Sequence, residues 1–260
     1  MSAILVEVTD GVATVTLNRP DRRNALNGEL LVALRDTMGA VDADDAVAAI
    51  VLTGADPAFC AGLDLKALGA GETRLSSATF PSGSDPEPVR SWGRTEKPVI
   101  GAVNGPAVTG GLEVALQCDF LVASERAVFA DTHARVGVLP AWGLTVLLSQ
   151  AVGIRKAKEM SLTGNFMTAD EALRWRLVNH VVAHDDLLPF ARRLAADIAG
   201  NDQRAARRLL AEYDEVTATT PEEGLRIEAR IAAGWNGDGA AVADVERRRE
   251  SIVERGRSQI

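Results

Sequence analysis

Hydrophobic and polar residues follow short-range patterns that predict alternating strands and helices. Residues 4–18 (ILVEVTDGVATVTLN) form two runs rich in Val, Ile and Thr around Asp10 and Gly11, which predicts a β-hairpin. Asn27 ends the following polar loop and suits the N-cap of a helix that runs to about Val41. The next run, VAAIVLTG, is almost entirely apolar, which is typical of a strand buried on both faces.

The alternation of strand and helix continues to about residue 165, and this order predicts an α/β core. From Asp185 onward the pattern is helical and rich in Ala, Arg and Glu. We therefore expect a core over residues 1–184 and a helical region over residues 185–260. The stretch Gly69–Arg90 is rich in Gly, Ser and Pro and predicts a mobile excursion from the core. Further strands are expected at PVIGAVNG, DFLVAS and AVFA, with a helix between the first two that ends at Cys118.

Composition and charge narrow the class of protein. The chain is 47% hydrophobic and 25% charged, as soluble globular proteins are. Its formal net charge of −8 argues against nucleic acid or an anionic membrane as the main partner. Val136–Ile154 lacks charge, but its proline, glycine and polar residues make it a poor membrane span. With acids instead of a basic signal region near the start and only Cys60 and Cys118, a cytoplasmic location is expected.

One stretch combines several glycines with a carboxylate surrounded by apolar residues: NGPAVTGGLEVALQCD, residues 104–119. It has the glycine spacing of a phosphate loop but lacks the Lys and Ser/Thr that bind phosphate and magnesium. Glu113 is open to two interpretations. It is either a first-turn acid favoured by the helix dipole, or a functional carboxylate beside backbone N–H groups that bind a developing oxyanion.

A second stretch, FCAGLDLK (residues 59–66), also follows a predicted strand and places glycine where backbone can approach a ligand. With it, the chain resembles the crotonase (enoyl-CoA hydratase/isomerase) superfamily. The resemblance rests on NRPDRRNALN, FCAGLDLK, NGPAVTGGLEVALQCD and SLTGNFMTADEALRWRLVNHVV, which occur in the family's order and spacing and cover nearly the whole chain.

The resemblance implies a spiral of ββα units with a helical C-terminal domain, assembled as a homotrimer or a dimer of trimers. It implies a coenzyme A thioester as substrate, with the thioester carbonyl oxygen held by the N–H groups of Leu63 and Gly110. Each such donor is worth about 3 kcal/mol in a transition state. Glu113 matches the glutamate that acts on water beside them.

The same resemblance implies a set of residues that contact coenzyme A or the acyl group. Coenzyme A would arrive as part of the substrate, so no separate cofactor is expected. His180 and His184 have the spacing of a helical metal pair, but they flank a predicted strand and lack a third ligand, so no metal site is expected. The contact set is Arg22, Arg23, Ala25, Ala61, Asp64, Leu65, Lys66 and Gly111. Asp64 is equally suited to cap the helix that LKAL predicts.

The chain departs from the family pattern at two positions. The second glutamate of the hydratases should stand four residues after Phe129, where this chain has His133. A histidine serves as an acid or a base near neutral pH, so Glu113 and His133 are the expected catalytic pair. Asp131 is placed to orient His133 only if the backbone between them is suitable. Trp142 replaces a small residue and either narrows the acyl pocket or fills a gap in the core.

These features predict an enzyme of acyl-CoA thioesters, most closely an enoyl-CoA hydratase that adds water to a trans-2-enoyl-CoA. Two alternatives remain open at this point. His133 in place of a glutamate also suits a non-catalytic acyl-CoA-binding homologue. The same oxyanion hole would serve another reaction of the family, such as double-bond isomerisation.

Overall fold

The chain opens with the β-hairpin that the hydrophobic pattern predicts. Strands β1 (Ile4–Thr9) and β2 (Val12–Leu17) pair antiparallel on either side of Asp10 and Gly11. Both turn residues have positive φ angles, 51° and 77°, as a tight two-residue turn requires. The outer strand is exposed along most of its length, whereas the second strand is largely buried, so the hairpin forms one edge of a sheet.

Parallel strands extend this hairpin into a six-stranded sheet. The computed structural model describes residues 2–64, 66, 89–236 and 240–258. In the sheet order, β1 and β2 are followed by four further strands, and a second, three-stranded sheet lies beside the first. The large sheet continues with β3 (Ala49–Gly54), β4 (Val99–Val103), β6 (Phe120–Ser124) and β9 (His180–Val182). The small sheet contains β5 (Ala107–Val108), β7 (Val128–Ala130) and β8 (Met167–Thr168).

Helices connect these strands where the sequence predicts them. The side chain of Asn27 accepts a hydrogen bond from the N–H of Leu30 and caps the first helix, as predicted. The helix after β5 ends at Leu116, two residues before the expected end at Cys118. The helices of this part are α1 (Gly28–Ala43), α2 (Gly110–Leu116), α3 (His133–Val136), α4 (Leu144–Val152), α5 (Ile154–Thr163) and α6 (Ala169–Arg174).

The C-terminal part is helical in the residues that the structure describes. Its helices are α7 (Leu187–Ala199), α8 (Gln203–Thr217), α9 (Pro221–Asn236) and α10 (Ala240–Ser258). Helix α7 buries its apolar face against the large sheet, where it contributes Leu187, Ala191 and Ala195 to a cluster with the central strands. Residues up to Ala206 therefore form one compact unit, and residues 207–260 form a second. The core unit extends past the boundary expected after residue 184, because α7 is needed to cover the sheet.

Glycines set the distance between the segments that meet next to β5. A Cβ atom at Gly111 would overlap the carbonyl group of Cys60, and one at Gly105 would overlap the carbonyl oxygen of Pro57. Glycine is therefore required at both positions for close approach of two backbone segments. The glycines of this stretch are therefore explained in part by backbone packing, and not by access to a ligand alone.

The predicted mobile excursion, Gly69–Arg90, lies almost wholly outside the described residues, of which only Val89 and Arg90 belong to it. Across the described parts of the chain, no helix is both long and apolar enough to cross a membrane.

Candidate functional site

Two loops that the sequence places far apart pair side by side at one end of the sheet. The N–H of Ala61 donates to the carbonyl of Arg23 at 3.0 Å, and the N–H of Leu26 donates to the carbonyl of Gly62 at 2.7 Å. The N–H of Asp64 returns a bond to Leu26 at 2.9 Å. This ladder brings the predicted coenzyme A loop and the first predicted oxyanion donor into one site.

Two polar side chains lock the loop that contains Ala25. Asn24 is fully buried, and its amide donates to the carbonyls of Ala55 and Ala58 at 2.8 and 2.7 Å. The guanidinium of Arg19 donates to the carbonyl of Ala25 and, at 3.1 Å, to the carboxylate of Asp64. Asp64 therefore ties the two loops together. The helix LKAL that Asp64 was also expected to cap lies outside the described residues except for Lys66, which is helical.

The two predicted oxyanion donors lie close together. Gly62 has a φ angle of 89°, and a Cβ on it would stand 3.4 Å from the backbone nitrogen of Gly110. Among the described residues, none accepts a hydrogen bond from the N–H of Leu63 or of Gly110. Unpaired backbone N–H groups are rare inside proteins, so two of them side by side are a notable feature of this site.

Glu113 lies on the first turn of α2 and is buried, with 3% of its surface exposed. One of its carboxylate oxygens accepts hydrogen bonds from the N–H groups of Ala141 and Trp142, at 3.2 and 2.8 Å. The other oxygen lies 3.4 Å from Nε2 of His133. A buried carboxylate is costly unless it is paired, and these three groups supply the pairing. Glu113 is therefore a first-turn acid of α2 that is also buried and paired.

His133 lies between two carboxylates. Its Nδ1 is 2.6 Å from Oδ1 of Asp131, which also accepts the backbone N–H of His133 at 3.1 Å. Both residues are buried. Burial lowers the pKa of His133, but its hydrogen bonds to Asp131 and Glu113 outweigh this effect and raise the pKa to about 9. For Asp131, burial acts in the opposite direction and raises the pKa. Its hydrogen bonds to His133 and Ser161 outweigh this effect, so the pKa of Asp131 is below its ordinary value. The contacts of His133 therefore favour the protonated imidazole.

Trp142 is buried, and its backbone links the site to the core. Its ring is 3.5 Å from the position of a Cβ on Gly110, and its carbonyl accepts a hydrogen bond from Gln117 at 3.2 Å. The ring belongs to the main hydrophobic cluster. Trp142 thus fills space in the core next to Gly110, the second predicted oxyanion donor, as the gap-filling interpretation predicts.

The remaining predicted contacts lie at the rim or outside the site. The side chains of Arg22, Arg23 and Lys66 are exposed, as groups that meet phosphates from solvent would be. Leu65 lies outside the described residues. Gly111 is buried against Cys60 and supports the site by its lack of a side chain.

The two other histidines do not converge. His180 lies in β9 and packs against the ring of Phe190, with 5.0 Å between the ring centroids. His184 bonds to Ser124 through Nδ1 and to Asp56 through Nε2, at 3.0 and 3.1 Å. Within the described ranges, no group of three or more His, Cys, Asp or Glu side chains is arranged to hold a metal ion.

Known proteins match this chain over nearly its full length. A family model described as enoyl-CoA hydratase/isomerase matches residues 7–247. A probable peroxisomal enoyl-CoA hydratase 1 of Arabidopsis thaliana is 38% identical over 248 residues, which cover 95% of this chain and 91% of that protein. Among solved structures, an enoyl-CoA hydratase of Mycobacterium tuberculosis H37Rv is 50% identical, with a TM-score of 0.75, over 90% of this chain and 99% of that chain. One from Mycobacterium smegmatis is 47% identical, with a TM-score of 0.72, over 98% and 100% of the two chains.

The wound α/β core and its loop-built site define a protein of the crotonase fold, as the four motifs predict. Within that fold, the chain belongs to the enoyl-CoA hydratase/isomerase family.

Several residues of the site have no signal in the sequence pattern. Asn24 and Arg19 hold the first loop, but an Asn and an Arg in a polar loop look like surface residues until burial is known. Thr109 and Thr132 bond to each other through their hydroxyls across the site. A threonine immediately before Gly110 was a possible cue, because the residue before an oxyanion donor controls the direction of its N–H group.

Proposed function

We propose that the protein is an enoyl-CoA hydratase that adds water across the double bond of a trans-2-enoyl-CoA. The observation that carries this proposal is the buried series Asp131–His133–Glu113. In this series a carboxylate lies next to an imidazole whose contacts favour its protonated form, and Gly110 begins the helix that carries Glu113. Hydration needs a base for water, an acid for carbon and a donor pair for the enolate oxygen. Glu113, His133 and the N–H groups of Leu63 and Gly110 can supply all three.

The residues would act in one sequence of proton transfers. Glu113 takes a proton from water as its oxygen bonds to C3, and the electrons of the double bond move onto the thioester as an enolate. The N–H groups of Leu63 and Gly110 hold the enolate oxygen. His133 delivers the proton from Nε2 to C2. Because Nε2 lies 3.4 Å from the Glu113 carboxylate, the proton gained by Glu113 can return to His133 and restore both groups.

Coenzyme A would bind across the two paired loops. Three exposed cations lie near the ladder that joins these loops: Arg22, Arg23 and Lys66. Such cations attract phosphates, and the range of the attraction shortens as the salt concentration rises. The backbone around Ala25 and Ala61 is held by that ladder. An adenine and its phosphates would thus meet a preformed edge, as is typical of ligand sites.

We further propose a homotrimer, alone or as a pair of trimers, in the cytoplasm. Large apolar side chains are exposed on the C-terminal helices, among them Leu209, Tyr213 and Leu225, and an amphipathic helix normally buries its apolar face. Both cysteines are free and buried, which suits a reducing compartment. A monomer at micromolar concentration in sedimentation velocity would contradict the assembly, and fractionation of tagged cells would test the location.

Double-bond isomerisation remains the second candidate, and its favouring observation is that His133 replaces a carboxylate. One base that moves a proton between two carbons is sufficient for that reaction, and it needs no water. A non-catalytic acyl-CoA carrier is the third outcome, for the same reason.

Turnover on a panel of trans-2-enoyl-CoA and trans-3-enoyl-CoA thioesters, with product mass, separates these functions. A hydratase raises the product mass by one water, an isomerase leaves the mass unchanged, and a carrier yields no product. The variant Glu113→Gln keeps shape and hydrogen bonding but removes the base, so it should abolish turnover while saturated acyl-CoA still binds. Binding without turnover in the wild type would contradict the hydratase.

A further inference from the structure

Thr109 occupies a backbone conformation that threonine rarely adopts. Its φ and ψ angles are 54° and −113°, at the N-cap of α2. For a β-branched residue a positive φ is a true outlier, since Cβ and the side chain crowd the backbone. Such strain persists only where the surroundings impose it, and it occurs most often at functional sites.

The surroundings of Thr109 are hydrogen bonds to the strand end that precedes His133. The N–H of Thr109 donates to the carbonyl of Ala130 at 2.8 Å. Its hydroxyl is paired with the hydroxyl of Thr132 and accepts the N–H of Thr132 at 3.4 Å. Its side chain makes no capping bond to α2, so the hydroxyl is directed away from the helix that it begins.

The reacting groups of the proposed site lie close to Thr109 in the chain, bond to it, or follow a residue that contacts it. Gly110 follows it, and its N–H direction depends on the ψ angle of Thr109. The carbonyl of Thr109 accepts the N–H of Glu113 at 3.0 Å. His133 follows Thr132 directly. A Cβ on Gly62, the residue before Leu63, would stand 3.4 Å from Cβ of Thr109.

We propose that Thr109 is a positioning residue, held in its strained conformation by Thr132 so that the N–H of Gly110 and the imidazole of His133 keep a fixed relation. This inference rests on the proposed function for its chemistry, but the geometry it assigns concerns any thioester held by Gly110. A bonded pair of hydroxyls between the two segments allows little relative movement. A donor shifted by about 1 Å would cost about 100-fold in rate.

The test compares Thr109→Gly, Thr109→Ser and Thr132→Val. Glycine relaxes the strained φ and removes the hydroxyl, so the melting temperature should stay equal or rise while kcat falls about tenfold or more. Thr109→Ser keeps the hydroxyl, so its kcat should be close to that of the wild type and well above that of Thr109→Gly. Thr132→Val removes the partner hydroxyl and should lower kcat with KM changed less than about threefold, as expected when a transition-state interaction is lost.

Thr168→Ala serves as the matched control. Thr168 is also an N-cap threonine, at α6, and its hydroxyl accepts the N–H of Glu171. The control should lower the melting temperature and leave kcat unchanged, because loss of a cap destabilises a helix without affecting the site.

A second readout needs no turnover. An enoyl-CoA with an electron-donating aromatic group absorbs at longer wavelength when its carbonyl is polarised, so it reports the strength of the oxyanion hole. Thr109→Gly should reduce this shift. An unchanged shift and unchanged kcat in Thr109→Gly, with hydration by the wild type, would overturn the role of Thr109 and leave the hydratase standing. A wild-type shift without hydration, lost in Thr109→Gly, would overturn the hydratase and keep the role of Thr109. A wild type with neither property would overturn both.

Discussion

The substitution Asp131→Asn tests whether the cationic state of His133 is functional. Asparagine keeps the shape and a hydrogen-bond acceptor but removes the charge that stands 2.6 Å from Nδ1. The pKa of His133, about 9 in the protein against an ordinary 6.5, should therefore fall. A rise of this size corresponds to about 3 kcal/mol of interaction with the protonated imidazole, shared between Asp131 and Glu113.

The magnitude of the kinetic effect follows from the protonated fraction of His133. With a pKa of about 9, the imidazole is about 90% protonated at pH 8. A pKa back at 6.5 leaves about 3%, and one midway leaves about 35%. If His133 is the acid, kcat/KM of the variant should fall about threefold to 25-fold between pH 6 and pH 8, whereas that of the wild type should hardly change. On the alkaline side, the wild type should lose activity only as the pH rises through about 9.

The assay is the pH dependence of kcat/KM, paired with NMR titration of the imidazole. The ratio of the rates at pH 8 and pH 6 removes any loss that does not depend on pH. Asp56→Asn is the control, because Asp56 also pairs with a histidine, through Nε2 of His184 at 3.1 Å, but outside the site. An Asp131→Asn variant whose pH profile and His133 titration overlay those of the wild type would refute the reasoning.

The same pKa shift makes a prediction about stability. The folded pKa of His133 lies above its unfolded value, so its contribution to the free energy of unfolding is fully present below pH 6.5. The contribution, about 3 kcal/mol at most, is lost as the pH rises through about 9. Urea titrations at pH 6 and pH 10 should show a smaller difference in Asp131→Asn than in the wild type.

Three further predictions concern the acid, the packing and the ligand charge. His133→Glu should abolish the activity loss near pH 9 and lower the rate at pH 8, because a carboxyl has a pKa of about 4.3. A variant that is faster than the wild type at every pH would show that His133 is not the catalytic acid. Gly111→Ala should lower the free energy of unfolding by about 1–3 kcal/mol or more in urea titrations, because its Cβ would overlap the Cys60 carbonyl. Gly39→Ala, with open space around it in α1, should raise the free energy of unfolding by about 1 kcal/mol. Arg23→Gln should weaken binding of an acyl-CoA in calorimetry at low salt, and the difference from wild type should shrink at high salt; equal losses at both salt concentrations would contradict a charge contact.

Local patterns predicted the elements of this fold well, because hairpins and caps are decided by neighbours in sequence. Asp10 and Gly11 form the expected turn, and Asn27 caps α1 as expected. The C-terminal end of the core unit could not be predicted from the sequence, because the pattern of α7 is that of an ordinary amphipathic helix. Only its contacts with the sheet show that α7 is part of the core unit.

The candidate site was predictable where the chemistry resides in motif residues and not where it depends on approach between distant segments. Glu113 and His133 were predicted as a pair, and in the structure Nε2 of His133 lies 3.4 Å from a carboxylate oxygen of Glu113. Asp131 could not be assigned, since its contact with His133 depends on the turn that starts α3. Thr109 gave no sign of its strained angle, because that conformation comes from bonds to a segment more than twenty residues away.

The most direct test of the central claim is incubation of a trans-2-enoyl-CoA with the protein in water labelled with oxygen-18. The wild type should yield a 3-hydroxyacyl-CoA that contains one labelled oxygen at C3, and Glu113→Gln should yield almost none although it still binds the thioester. Recovery of unlabelled thioester from the wild type, whether unchanged or with its double bond moved, would contradict the assignment of Glu113 and His133 as a hydratase pair.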